Sequence, residues 1–306
     1  MKKLFILAMA LTIFSSANAC DICGCGVGSY YIGILPEFQK KIIGLRYRYN
    51  SLQTHLGPGG STSYLTTDER YRTAELWGGW TIGKRFRIMA YIPFNFNEKI
   101  NQGQSFSKSG LGDMGVQGFY QVFNESTTIK NKMLVHSLWI GAGIKLPTGK
   151  YDDVQRNSAS AQDPNIFQLG TGSTDFTLNA MYDLRIQDAG ISASASYKVN
   201  SPNKYDYQYG NKFSGAAQLY YKFRIRNKVT VSPNAGAMYE TAQKDSEGKF
   251  AMDVSGGRLL SGSLGFETAF SKMAIGVNWQ TPILQDMAGG FVKAQNRVML
   301  HLSVPF

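Results

Sequence analysis

The residues best suited to chemistry are Cys20, Cys23 and Cys25, the three cysteines of a 306-residue chain, which lie within six residues of one another. Disulfides between them would close loops too short to hold a large fold together. Three interpretations stay open. One is a local disulfide with a spare thiol. Another is a Cu(I) or zinc site, because soft thiolates select these metals and the α-amino group of Cys20 could add a nitrogen ligand. The third is lipidation of Cys20, which would leave Cys23 and Cys25 as a pair.

No set of residues has the spacing of a hydrolase. His301 and Ser303 share one face of the last strand-like stretch, His136 lies alone on the opposite face of its own stretch, and His55 lies in a loop. A hydrolase at a lipid surface needs a nucleophile and a histidine together on the side that faces lipid, whereas His301 and Ser303 share the polar, inward side. No glycine-rich phosphate loop leads from a strand into a helix. We therefore expect a protein that is not an enzyme.

The thiols follow an export signal. Lys2 and Lys3 precede an apolar run at residues 4–14, and Ala17-Asn18-Ala19 fits the cleavage rule, so residues 1–19 form the predicted signal peptide and Cys20 the first mature residue. Residues 20–39 form a cysteine-rich segment. Because residues 28–38 are too apolar for a free tail, we expect this segment to lie in the periplasm or in the lumen, as a plug or as an inert cap.

Strict alternation of apolar and polar residues dominates the rest of the chain. At residues 297–306, one face carries Val298, Leu300, Leu302, Val304 and Phe306. A period of two indicates a strand with one apolar and one polar side. A final strand that ends in Phe resembles the closing strand of outer-membrane β-barrels.

Similar stretches recur along residues 40–306 and predict an all-β fold, a transmembrane antiparallel up-and-down β-barrel of about twelve strands. Long and short connections alternate, as the external loops and periplasmic turns of such barrels do, and the strands are long. The connection from residue 97 to 109 is predicted as a long polar loop. Pro233 lies inside the ninth predicted strand and predicts a bulge there.

If the apolar face meets lipid, the polar face lines a water-filled lumen. The predicted lining residues are Arg46, Arg48, Glu75, Arg85, Arg87, Asp113, Lys145, Asp175, Glu267, Arg297 and His301. Bases outnumber acids among them, which favours anionic or polar solutes. Alternatively, these charges pair with one another and stiffen the barrel.

Three motifs carry a family resemblance. Residues 109–113 (SGLGD), 143–150 (GIKLPTGK) and 169–175 (LGTGSTD) follow one another in the chain. In this order they resemble the outer-membrane transporter-like family named after a phenol-degradation pathway. The resemblance implies transport of hydrophobic or small organic solutes. The thiol-rich leader looks like that of a group of barrel proteins from Bacteroidetes, a looser resemblance.

The sequence thus predicts a passive channel for small solutes in the outer membrane of a Gram-negative bacterium, of Bacteroidetes type. The alternative is a barrel-anchored binding protein that uses the thiols for Cu(I), zinc or redox sensing. The expected partners are outer-membrane lipid, lipopolysaccharide, a small solute and the barrel assembly machinery. The formal charge of +11 is expected to attract acidic lipopolysaccharide at the outer rim and does not imply binding of nucleic acid.

Overall fold

The computed structural model describes residues 41–152, 167–226, 228–270 and 272–306. The predicted signal peptide, the segment 20–39 and all three cysteines lie outside these residues. Their interpretation therefore stays a prediction.

Twelve antiparallel strands form a closed barrel, which confirms the predicted fold. The strands are β1 (Ile42–Thr54), β2 (Thr67–Ile82), β3 (Phe86–Asn101), β4 (Gln104–Leu111 and Gly115–Ile129), β5 (Lys132–Lys145), β6 (Asp175–Ile186), β7 (Ala189–Val199), β8 (Lys212–Tyr221 and Phe223–Ile225), β9 (Val229–Ala242), β10 (Gly257–Phe270), β11 (Met273–Met287) and β12 (Arg297–Pro305). Both segments of β4 pair with β3. Each strand pairs with the next along the chain, as an up-and-down barrel requires.

The last strand closes the barrel against the first. β12 pairs with β1 from Ile42 opposite Pro305 to Tyr49 opposite Val298. Because register fixes which side chains share a face, this pairing places Arg46 directly opposite His301.

The two faces of the wall differ in character as the alternation predicts. On β1, Ile42 and Arg46 are 1% and 2% exposed and point inward, whereas Ile43 and Leu45 are 45% and 56% exposed and point outward. A soluble barrel would place its apolar side chains inside. An apolar exterior over a polar interior is the arrangement that a lipid environment stabilises.

Long and short connections leave the barrel at opposite ends, here called the loop end and the turn end. One predicted loop at the loop end is wrong: residues 97–109 form the tip of a hairpin of β3 and β4. Gln102 and Gly103 make its two-residue turn, with φ of 49° and 77°. Positive φ at both central residues matches the right-handed twist of the flanking strands, so the two strands continue beyond the predicted boundary.

The predicted bulge at Pro233 is also wrong. β9 pairs with β10 without a register shift through Pro233, opposite Phe266. On its other side the pairing of β9 with β8 is interrupted between Tyr220/Asn234 and Phe223/Val231, because a proline has no backbone N–H to donate. Register shifts occur instead at Gln121/Phe123 in β4 and at Leu260/Ser261 in β10.

Small elements cover the loop end. Tyr207–Gln208, Ser246–Glu247 and Phe250–Ala251 form a three-stranded sheet, Lys293–Ala294 pairs with β1, and two 3-10 turns span Pro58–Gly60 and Ala288–Gly290. The connection between β11 and β12 folds onto the inner wall, where Val292 packs in a buried cluster with Leu52, Tyr71 and Leu259.

Within the described part of the chain, no helix is both long enough and apolar enough to cross a membrane.

Candidate functional site: the barrel lumen

A buried ion cluster lies where the three sequence motifs meet. Lys145, the last residue of β5, places its Nζ 2.7 Å from Asp113 Oδ2 and 2.8 Å from Asp175 Oδ2. Lys198 Nζ lies 3.1 Å from Asp175 Oδ2. The Lys145 cluster, here meaning Asp113, Lys145, Thr171, Asp175 and Lys198, therefore combines two lysines with two aspartates. Balanced charge and additional hydrogen bonds are what buried ions need.

Asp113 joins the three motifs. Its Oδ1 accepts a hydrogen bond from Gly149 N at 2.9 Å, and its Oδ2 accepts from Thr171 N and Thr171 Oγ1, both at 2.8 Å. Lys145 also donates to the Thr171 hydroxyl. A Cβ on Gly170 would overlap the Asp113 carboxylate and lie 2.7 Å from Gly149 Cα. Glycine at this position is therefore a requirement of close packing.

Residues 167–174, in the connection between β5 and β6, lie against the inner wall. Asn97 and Asn95 of β3 donate from Nδ2 to the carbonyl oxygens of Gln168 and Leu169, each at 2.9 Å. Gln168 is 1% exposed, and its amide exchanges two hydrogen bonds with the Asp152 backbone, at 2.8 and 3.0 Å. Residues 167–174, the inner segment, therefore narrow the lumen near the loop end.

Asp152 anchors this connection to two lysines. Burial acts to raise its pKa, but Lys150 Nζ at 3.0 Å and Lys108 Nζ at 3.5 Å outweigh burial and hold the pKa of the carboxyl below its usual range. Asp152 therefore stays ionised at neutral pH.

A second charged group lies on the wall where the barrel closes. Arg46 Nη1 and Arg48 Nη2 lie 3.1 and 3.2 Å from the two oxygens of Glu75, their neighbour on β2. The Arg46 guanidinium lies 5.6 Å from the ring centre of Trp77. Both contacts hold the arginine against the wall and away from the lumen axis.

The structure shows a third charged group that the sequence analysis missed. Glu240 of β9 binds Lys212 Nζ at 2.7 Å and also pairs with Arg297 of β12. β10 and β11 lie between these two strands, so the pair spans the barrel interior. The alternation along β9 could have predicted it, because Glu240 lies next to Tyr239, which points outward. The predicted lining residues did not include the polar residues of β9.

Almost all predicted lining residues occupy the interior. Arg46, Arg48, Glu75, Arg87, Asp113, Lys145, Asp175, Glu267, Arg297 and His301 are buried or half-buried on the inner face. Arg85 is the exception, because β3 begins at Phe86. Arg85 lies exposed in the preceding turn, where Nη1 donates to Tyr120 Oη at 3.3 Å.

The two walls of the lumen differ in size and polarity. Between β1 and β5, large side chains pack into a buried cluster: Ile42, Trp77, Met89, Tyr91, Phe119 and Trp139. The inner faces of β6, β7 and β8 instead carry small polar residues, including Asn179, Ser194 and Ser214. Ser194 is exposed to the lumen, which places the open path beside these three strands.

Comparison with solved structures places the fold among outer-membrane barrels. An outer membrane channel from Pseudomonas putida F1 superposes with a TM-score of 0.61 at 15% identity, over 92% of this chain and 100% of the channel. The beta domain of the Bordetella autotransporter BrkA gives a TM-score of 0.50 at 10% identity, over 87% of this chain and 100% of the domain. At these identities the likeness concerns the fold.

Sequence comparison identifies the family. No curated protein sequence matches the chain significantly. A family model described as "Putative MetA-pathway of phenol degradation" matches residues 48–282, which is most of the chain and includes all three motifs. The chain therefore belongs to this family, and it is a twelve-stranded β-barrel of the Gram-negative outer membrane.

Proposed function

We propose that this protein is a passive channel for small solutes across the outer membrane. The observation that carries the proposal is the character of the inner face. On β6, β7 and β8 it carries small, mostly polar side chains that leave Ser194 open to the lumen, while the outer face of the barrel is apolar. The solved channel with the same fold supports this function.

The lumen charges bear on the expected solute. The sequence predicted a preference for anionic or polar solutes, because bases outnumber acids among the predicted lining residues. In the structure, Arg46, Lys145 and Arg297 each contact a carboxylate. Paired charges project little net potential into the path, so the geometry weakens the expectation of anion preference. It supports the alternative in which charge pairs stiffen the barrel.

Purified barrel in planar bilayers tests the proposal. We expect small, steady current steps in salt solution and swelling of proteoliposomes in small solutes. The matched control is a preparation that has been heat-unfolded before reconstitution. The proposal is wrong if folded barrel gives neither current nor swelling above this control. In this role, outer-membrane lipid contacts the apolar outer face of the barrel. The proposed transport involves no catalytic step.

A further inference from the structure

The polar wall described above has one unusual property, which is that its middle carries no charge. On β6, Thr177, Asn179 and Met181 lie between Asp175 and Asp183 on the inner face. Asp175 belongs to the Lys145 cluster, and the two oxygens of Asp183 accept from Tyr220 Oη at 3.0 and 2.9 Å. Charged groups therefore bound a neutral zone from both ends of this strand.

The neighbouring strands continue the same zone. On the inner face of β7, Ser192, Ser194 and Ser196 precede Lys198 and lie on its turn-end side. On β8, Ser214, Ala216 and Gln218 lie between Lys212 and Tyr220. At a strand rise of about 3.3 Å per residue, the zone extends roughly 13 Å along each strand. We call this surface the serine track, consisting of Asn179, Ser192, Ser194, Ser196 and Ser214.

A cavity lies against the track and faces a less polar surface. Asn179, Ser194, Ser196 and Ser214 line it together with Phe119 and Met181. Its free volume is about 20 Å³, whereas a single water molecule needs roughly 10–15 Å³. A solute that enters this cavity must shed most of its water and displace flexible side chains, of which Met181 is the most adaptable.

From this geometry we infer that the serine track selects small, uncharged, hydroxyl-bearing solutes over ions. The inference rests on the proposed channel function and names its substrate class. An ion that loses its water beside β6, β7 and β8 meets no charged side chain on the inner face of β6 between Asp175 and Asp183, and the desolvation cost is large. A neutral hydroxyl compound exchanges its water for the serine hydroxyls and the Asn179 amide, while its carbon face meets Phe119 and Met181.

Proteoliposomes that contain the full barrel test this inference with glycerol and glycerate, which match closely in size but differ in charge. We expect swelling in glycerol to be at least about tenfold faster than in glycerate, because only the anion bears the desolvation cost. Equal rates for the two solutes overturn the inference and leave the channel function intact. Absence of swelling in both overturns the inference as well, and absence of current in addition overturns the channel function itself.

Two variants at Ser194 and one control variant locate the selectivity. Ser194→Lys should raise the glycerate rate relative to glycerol, whereas Ser107→Lys, on the exposed face of the β3–β4 hairpin, should leave the ratio unchanged. Ser194→Val keeps the track neutral and tests the same position if the lysine variant does not fold. It should lower the glycerol rate by roughly two- to tenfold, about the effect of one lost hydrogen bond. An unchanged glycerol rate in folded Ser194→Val contradicts the role of the track.

Discussion

Lys145 is the residue on which the interior depends most. Its ammonium group is buried, and it touches Asp113 and Asp175 together with the Thr171 hydroxyl. A buried lysine without partners would lose its charge, and buried carboxylates without partners would do the same. The pairing therefore satisfies three groups at once and ties β4, β5 and β6 together near the loop end.

Replacing Lys145 with Met should cost about 3–5 kcal/mol of unfolding free energy. The substitution leaves Asp113 and Asp175 buried with less positive charge near them, and breaking a buried pair on one side carries a penalty of this order. Urea unfolding in lipid vesicles, followed by tryptophan fluorescence, measures the change.

The matched control for this substitution is Lys150→Met. Lys150 Nζ also contacts a carboxylate, Asp152 Oδ1 at 3.0 Å, but its side chain is 74% exposed. Exposed pairs contribute about 0–1 kcal/mol. If the two variants lose equal stability, burial does not determine the importance of Lys145.

The cysteine cluster makes a separate residue-scale prediction, which the described residues do not reach. If Cys20, Cys23 and Cys25 form a soft-metal site, the mature protein should bind Cu(I) or zinc stoichiometrically. Changing Cys23 and Cys25 together to Ser should abolish this binding without altering channel current, because the ligands are thiolates. Mass spectrometry of the mature N-terminus distinguishes the remaining interpretations. A diacylglycerol adduct on Cys20 shows lipidation, and a mass lower by two hydrogens shows a disulfide.

Among the elements, the inner segment 167–174 controls the width of the lumen. Two asparagine side chains fasten it to β3, Asp113 fastens it to β4, and Lys145 of β5 donates to its Thr171 hydroxyl, so three separate strands fix its position. These side-chain contacts can be loosened without unfolding the barrel, because the backbone hydrogen bonds of the barrel lie elsewhere.

The variant Asn97→Ala should increase single-channel conductance. It removes the hydrogen bond to Gln168 O and leaves that buried carbonyl without this donor, at a cost of about 1–3 kcal/mol that favours release of the segment. Planar-bilayer recording measures the change. Asn101→Ala is the control, since Asn101 binds the connection between β1 and β2 instead. Equal conductance in wild type and Asn97→Ala contradicts the constricting role.

The strands were predictable from sequence because the period of two is a local signal. Alternation placed Arg46 and Ile43 on the correct faces without any knowledge of neighbours. The hairpin tip at Gln102 and Gly103 was missed because its polar, glycine-containing strands read as a loop. The position of the inner segment could not be predicted from sequence. Asn97 donates to it and Asp113 accepts from it, and both residues lie more than fifty residues away from their partners in the chain. Sequence proximity carries no information about such contacts.

At the scale of the whole molecule, the apolar exterior and polar interior form one system. Leu45 on β1 aligns with Leu76 on β2 and Ile92 on β3, and all three are exposed, at 56%, 43% and 41%. In water this belt would cause aggregation, whereas in a bilayer it is the surface that lipid covers. Leu45 lies near the middle of the belt, because apolar residues on β3 extend from Phe86 to Phe96 on both sides of Ile92.

Depth in the bilayer should therefore determine the cost of adding a charge to the outer face. Leu45→Arg should destabilise the barrel in vesicles by about 2–4 kcal/mol, since arginine near the bilayer midplane loses its water without gaining a partner. Gln53→Arg, on the same face of β1 but close to its loop end, should cost about 0–1 kcal/mol. Unfolding in lipid measures both variants, and detergent micelles, which deform around a charge, should reduce the difference. If the two variants lose equal unfolding free energy, Leu45 does not lie deeper in the bilayer than Gln53, and the proposed position of the apolar belt is wrong.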